Sequence, residues 1–187
     1  FLLGDEGTIV FEDAAVRRIE TRVSLAQGST LGGDEDTLKG GYGADTISGG
    51  DKGDLIEGED GGDYLFGDFV TAVFESDGSR SIDTAHENDG GEDFIYGGFG
   101  DDVLIGGAYA DRLEGEEDND VILGDFGVFD QTGSTLDMVR TRAYVEDSEG
   151  NVVYGTDGEA LTLTGGADTA IGGSGDDTAL GGHAGDF

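Results

Sequence analysis

Asp36, Asp45, Asp54 and Asp63 stand nine residues apart. So do Asp93, Asp102, Asp111 and Asp120, and then Asp168, Asp177 and Asp186. A fixed short period makes each repeat take the same turn, so an acid at one phase of it becomes a ladder of carboxylates. Stacked carboxylates repel unless a cation lies between them. The chemistry they point to is the binding of a hard cation, which takes carboxylate and carbonyl oxygens. Glycines crowd the places before each Asp, as in Gly40-Gly41-Tyr42-Gly43-Ala44-Asp45. They allow tight turns and bare carbonyl oxygens that can serve as further ligands. Two residues after each of the first ten aspartates comes an apolar side chain: Leu38, Ile47, Ile56, Leu65, Ile95, Leu104, Leu113, Ile122, Ala170 and Ala179. A solvated linker has no reason to keep that second register.

Other chemistries find no support. There is no nucleophile elbow, since Gly172-Gly173-Ser174-Gly175-Asp176 breaks that pattern. There is no zinc-protease helix motif, and the only lysines are Lys39 and Lys52, so there is no phosphate-cradling loop. His86 and His183 stand alone. Asp147-Ser148-Glu149-Gly150 has part of an EF-hand but not its later ligands. The expectation is a protein that is not an enzyme.

The chain carries 43 acids against 9 bases, a net charge of −34 in 187 residues. With 35 % apolar residues and 38 glycines, such self-repulsion favours a coil unless counter-ions enter the fold. The charge excludes nucleic acid as a natural partner and argues against anionic lipid surfaces. Zero Cys removes disulfides and thiolate metal sites. No apolar run reaches membrane-spanning length. The chain is read as a piece of a longer polypeptide.

The elements that position the aspartates follow from the spacing. Three repeat runs, 31–66, 88–123 and 163–187, alternate with three inserts, 4–30, 67–87 and 124–162. The inserts open on Gly4-Asp5-Glu6, Gly67-Asp68-Phe69 and Gly124-Asp125-Phe126, and Gly185-Asp186-Phe187 reads similarly. This gives a longer period of about sixty residues and three units, 4–66, 67–123 and 124–187. Val10-Phe11-Glu12, Val73-Phe74-Glu75 and Val128-Phe129-Asp130 match one another. So do Ile19-Glu20-Thr21, Ile82-Asp83-Thr84 and Val139-Arg140-Thr141. Their alternation is that of half-buried strands. A further hairpin is expected from Ala143-Tyr144-Val145 to Val152-Val153-Tyr154. No helical stripe appears, so the fold class is all-β. Beside the inward positions stand apolar pairs, Tyr64/Phe66, Phe94/Tyr96, Val103/Ile105 and Val121/Leu123. These predict that insert strands, or another chain, cover those faces.

Residues 97–105, Gly-Gly-Phe-Gly-Asp-Asp-Val-Leu-Ile, and 172–180, Gly-Gly-Ser-Gly-Asp-Asp-Thr-Ala-Leu, resemble the calcium-binding nonapeptide of the RTX (repeats-in-toxin) family. The resemblance implies a right-handed parallel β-roll, a β-solenoid, with β-hairpin inserts at about sixty-residue intervals. Two nonapeptides make one turn, and Ca2+ lies between loops two repeats apart. The implied ligands are the eleven register aspartates with Gly41, Gly43, Gly98, Gly100, Gly173 and Gly175. The implied pairs are Asp36 with Asp54, Asp45 with Asp63, Asp93 with Asp111, Asp102 with Asp120, and Asp168 with Asp186. Asp34, Asp51, Asp101 and Asp176 add ligands or only charge. Roughly six to nine ions would be held. The third run, with Ala170 and Ala179 inward, should be the weakest.

The resemblance also implies secretion by a type I route to the cell surface or beyond, with folding on extracellular calcium. The function expected first is a structural segment of a surface adhesin, fibre or matrix protein, its partners being neighbouring repeats, copies of itself or a surface polysaccharide. The alternatives are the calcium-binding module of a toxin, protease or lipase, and a carbohydrate-binding or carbohydrate-modifying β-helix with Tyr42, Phe99 or Tyr109 stacking on sugars.

Overall fold

The computed structural model describes residues 2–4, 7–12, 15–21, 33–84, 89–132, 135–141 and 166–182. All its regular elements are strands: β1 (Leu2–Leu3), β2 (Gly7–Glu12), β3 (Ala15–Thr21), β4 (Thr37–Tyr42), β5 (Thr46–Ser48), β6 (Leu55–Asp60), β7 (Tyr64–Phe66), β8 (Val70–Phe74), β9 (Arg80–Thr84), β10 (Phe94–Phe99), β11 (Val103–Ile105), β12 (Arg112–Glu117), β13 (Val121–Leu123), β14 (Gly127–Thr132), β15 (Thr135–Thr141), β16 (Thr169–Ser174) and β17 (Thr178–Leu180). Among the described residues no helix is long and apolar enough to cross a membrane.

Successive nonapeptides feed two parallel sheets in turn. The first has the order β1-β5-β7-β11-β13-β17 and the second β16-β12-β10-β6-β4. Every strand of these two sheets except β1 begins just after a register Asp, and the apolar residue two places on is its second residue. That residue turns into the space between the two sheets. Ile47, Ile56, Leu65, Ile95, Leu104, Leu113 and Ile122 are all 0 % exposed there and pack as one cluster, with Leu38 and Ala170 at its margin. Ala179 pairs with Ile122 and so holds the same inward position, but on the last strand of the first sheet it is exposed.

The segments between runs supply a third, antiparallel sheet, β15-β14-β9-β8-β3-β2. Consecutive strands pair as β2 with β3, β8 with β9 and β14 with β15. The pairs also join one another, β3 to β8 and β9 to β14. The matched tripeptides of the sequence therefore lie on equivalent strands. The expected hairpin at 143–154 lies outside the described residues.

This third sheet packs on the outer face of the first. Val70, Ala72, Ile82 and Phe129 meet Phe66, Val103, Ile105 and Leu123, with Tyr64, Val121, Phe74 and Val139 packed alongside. Tyr64 stands edge-on to Phe74 and Phe129, bonds Gln131 Oε1 at 2.9 Å through its hydroxyl, and lies 5.2 Å beneath the Arg80 guanidinium. The first sheet is thus buried on both faces. That explains the unbroken apolar runs Tyr64-Leu65-Phe66, Val103-Leu104-Ile105 and Val121-Ile122-Leu123. The fourth apolar pair, Phe94 and Tyr96, lies on the second sheet. Among the described residues nothing covers its outer face in this way, and Phe94 is 49 % exposed.

Candidate metal centre

The register aspartates form two ladders, one along each edge where the chain crosses between the parallel sheets. On one edge the Asp36 N–H donates to Asp54 Oδ1 at 2.7 Å, Asp54 to Asp93 at 2.7 Å, Asp93 to Asp111 at 2.8 Å and Asp111 to Asp168 at 2.9 Å. On the other, Asp45 donates to Asp63 at 2.7 Å, Asp63 to Asp102 at 2.7 Å, Asp102 to Asp120 at 3.0 Å and Asp120 to Asp177 at 3.0 Å. The four pairs expected within runs are neighbours. The ladders also cross the excursions without a gap, joining residues 39 and 57 positions apart. Asp186 lies outside the described residues.

Each accepting carboxyl, from Asp54 to Asp177, therefore spends Oδ1 on a backbone amide. Oδ2 points the other way. In Asp63, Asp93, Asp102, Asp111 and Asp120 it is buried with no hydrogen-bond partner. It lies over the glycine two places after the inward residue of the preceding strand of the parallel sheets, beside the corresponding glycine carbonyl of the next turn. At Gly67 an added Cβ would strike both Asp93 Oδ2 and Gly106 O; at Gly97, Asp102 Oδ2 and Gly115 O; at Gly115, Asp120 Oδ2 and Gly172 O. Two buried oxygens facing each other are unfavourable unless a cation or a proton lies between them.

Burial raises these carboxyls, and neighbouring carboxylates raise several further. Burial pushes Asp120 up to about 6, Asp102 to about 7, Asp93 to about 8 and Asp111 to about 11. The amide bond to Oδ1 works against the rise in each. Among the described residues no three carboxylates or imidazoles converge on one point. A cation here must take much of its shell from carbonyl oxygens, which suits Ca2+ better than a metal that wants nitrogen or sulfur.

The turn glycines fit that use. Gly41 and Gly43 have φ of 99° and 96°, Gly98 and Gly100 of 109° and 118°, and Gly173 and Gly175 of 106° and 143°. Asp101 and Asp51 lie beside the register, and each accepts a backbone amide from a residue 18 positions away. Asp101 Oδ1 accepts from Asn119 N at 3.1 Å and Nδ2 at 3.0 Å, and Asp51 Oδ2 accepts from Gly33 N at 3.2 Å. Asp176 donates its N–H to Asn119 Oδ1 at 2.9 Å.

Two groups of site residues escaped the sequence reading. The first glycines, such as Gly67, Gly97 and Gly115, sit closer to Oδ2 than the second and fourth do; their constancy in the repeat was the available signal. Asp68 and Asp125 are buried carboxyls off the register, signalled by the repeated Gly-Asp-Phe. Burial and the nearby Asp93 push Asp68 well above the usual carboxylate range, against amide bonds from Ala108 and Gly91.

Four copies of a family model, the RTX calcium-binding nonapeptide repeat, match residues 39–69, 89–104, 96–128 and 161–187, just over half of the chain. Repeats of this kind bind Ca2+, several ions along a run. No curated protein matches the chain, and no solved structure does.

Proposed function

The chain belongs to the RTX calcium-binding nonapeptide repeat family, and from that premise we propose that it is a structural segment of a secreted bacterial adhesin, fibre or matrix protein that folds and stiffens on extracellular calcium. The observation that carries this reading is the pair of unbroken aspartate ladders with Oδ2 buried against glycine carbonyls. Asp36, Asp54, Asp93, Asp111 and Asp168 would hold ions along one edge, and Asp45, Asp63, Asp102, Asp120 and Asp177 along the other, with Asp186 continuing the series. The turn carbonyls of Gly41, Gly43, Gly98, Gly100, Gly173 and Gly175 complete the shells. The coil is a right-handed roll carrying hairpin inserts, in units 4–66, 67–123 and 124–187. Calcium bound only by the folded chain supplies folding free energy. A type I export route suits a chain that stays unfolded where calcium is scarce.

The structural role draws support from the third sheet, which joins one sixty-residue unit to the next by backbone hydrogen bonds. A second reading, glycan binding, is favoured by the exposure of Tyr42 at 91 %, Phe99 at 60 % and Tyr109 at 44 %, since exposed rings stack on sugar faces.

Circular dichroism through a calcium titration, with magnesium as control, tests the first reading. A coil-to-β transition with calcium alone is expected, followed by assembly in sedimentation at saturation. A fold indifferent to chelator would overturn it. Loss of polysaccharide retention in a Tyr42→Ala, Phe99→Ala variant would carry the second.

A further inference from the structure

Among the described residues two buried aspartates stand off the nine-residue register, at points where the chain leaves the parallel sheets. Asp68 is 4 % exposed and Asp125 0 %. Their surroundings differ in kind from those of the register aspartates. A register Oδ2 faces a carbonyl oxygen, whereas both oxygens of Asp68 meet N–H donors. Its Oδ1 accepts from Gly91 N at 3.1 Å, and its Oδ2 accepts from Ala108 N. Gly91 lies where the chain comes back to begin β10. Ala108 lies in the uninterrupted turn that follows β11. From the turn on the other side, Ser48 Oγ donates to the Asp68 carbonyl at 2.8 Å. One residue thus ties the departure, the return and both neighbouring turns.

Asp125 repeats the arrangement one unit later. Its Oδ1 accepts from Gly166 N at 2.9 Å, just before β16, and its carboxyl lies against Gly182 as that of Asp68 lies against Gly107. A Cβ at either glycine would strike the carboxyl. Phe69 and Phe126, next in sequence, are fully buried. Gly185-Asp186-Phe187 reads alike but sits at another phase, because Gly181 holds the ladder place of Gly124 and Gly106.

An uninterrupted turn such as 106–111 runs directly from its first glycine to its register Asp. Where an excursion leaves, that turn is cut, and its amides lose the partners the coil would give them. Buried amides must be satisfied somewhere. We propose that Asp68 and Asp125 are latches, whose carboxyls close the cut turns and hold the third sheet on the coil without themselves binding calcium. This rests on the calcium-folded reading above and adds to it a division of labour between two sets of buried acids.

The test is made on the whole chain at saturating calcium. Asp68→Asn turns an amide NH2 towards an N–H donor. Exchange of the β8 and β9 amides should then speed by about tenfold, with the number of calcium ions bound, read by calorimetry, unchanged. Asp93→Asn, a register change, should bind fewer ions. Loss of an ion in Asp68→Asn, or wild-type exchange in β8 and β9, would overturn the latch. Should Asp68→Asn fail to fold, wild type decides: the latch requires slow exchange at Gly91 and Ala108, and rates of exposed amides there would refute it. A wild type that stays a coil at saturating calcium would instead remove the parent reading, and the latch with it.

Discussion

Five residues other than glycine hold a left-handed backbone among the described residues: Lys52 at φ 77°, Glu59 at 75°, Tyr109 at 70°, Glu116 at 77° and Asp118 at 75°. Each fills the second or fourth place of a nonapeptide, where Gly41, Gly43, Gly98 and Gly100 stand in other repeats. The turn imposes the conformation, and an L side chain there costs about 1–2 kcal/mol. Part of that is offset by the entropy glycine loses on folding, about 0.5–1 kcal/mol. Tyr109→Gly should therefore raise stability by about 1 kcal/mol at saturating calcium, or about 2–4 °C in Tm for a chain of this size. Tyr42→Gly, at a position outside that left-handed set, should give no gain; equal gains in thermal melts of both would sink the argument. The register carries a separate expectation. Asp102→Asn keeps an oxygen to accept the Asp63 amide but removes the charge beside Gly115 O. It should lower the count of bound ions and the melting temperature at fixed calcium.

At the scale of elements, the middle sheet bears two cores at once. Leu104 faces the second sheet and Ile105 the third. Replacing either by Ala should cost about 2–5 kcal/mol, while Ile171→Ala on the open face, at 39 % exposure, should stay within about 0.5 kcal/mol. Denaturant melts at saturating calcium would check the three. The third sheet also explains the length of the runs. Between successive hairpins the chain makes two turns, adding two strands to each parallel sheet, while each hairpin adds two strands to the antiparallel one. Strands are about 4.8 Å apart in every sheet, so all three advance together by about 9.6 Å. Excising Phe94–Asp111 would remove one turn and leave Asp93 in register before Arg112, but would shift β14 by one strand spacing against β9. The expectation is a calcium-folded coil with fast exchange in β14; excising a whole unit, 67–123, should leave the sheet continuous and the melt cooperative. Equal behaviour of the two deletions would contradict commensurate growth.

For the whole molecule the dominant quantity is charge. Without divalent cations, 43 acids repel, and the buried ladder carboxyls can be neutral only by taking protons. Their pKa values in the fold are raised, to about 6 for Asp120, 7 for Asp102 and 8 for Asp93. The unfolded chain titrates near 3.9. A raised folded pKa means the fold binds protons that the coil does not. That stability is fully present below about pH 4 and is lost as pH rises through 6 to 8. Calcium-free chain should therefore gain β structure on acidification from pH 8 to 5, read by circular dichroism. With calcium the dependence reverses in sense, since protons compete for the same oxygens: more calcium is needed for half-folding at pH 5 than at pH 8. A calcium-free chain as disordered at pH 5 as at pH 8 would show that the ladder carboxyls are not buried in the folded form.

The nine-residue register, the inward apolar residue two places after each Asp, the all-β class and the alternation of the excursion strands were legible in the sequence, because each is a property of local spacing along a repeating turn. The charge likewise announced a cation before any geometry was known. The sequence left open which faces were covered, offering four apolar pairs as equals. The tertiary structure separates them: every excursion leaves from the first sheet, so its strands fall back on Tyr64/Phe66, Val103/Ile105 and Val121/Leu123 and leave Phe94/Tyr96 open. It also decided that the ladders run through the excursions, Asp54 to Asp93 and Asp111 to Asp168. Asp68, which the sequence marked only as part of an insert opening, is buried, because its partners Gly91 and Ala108 lie 23 and 40 residues on. Periodicity reports what each turn does with itself; only the closed stack brings together groups that the period does not relate.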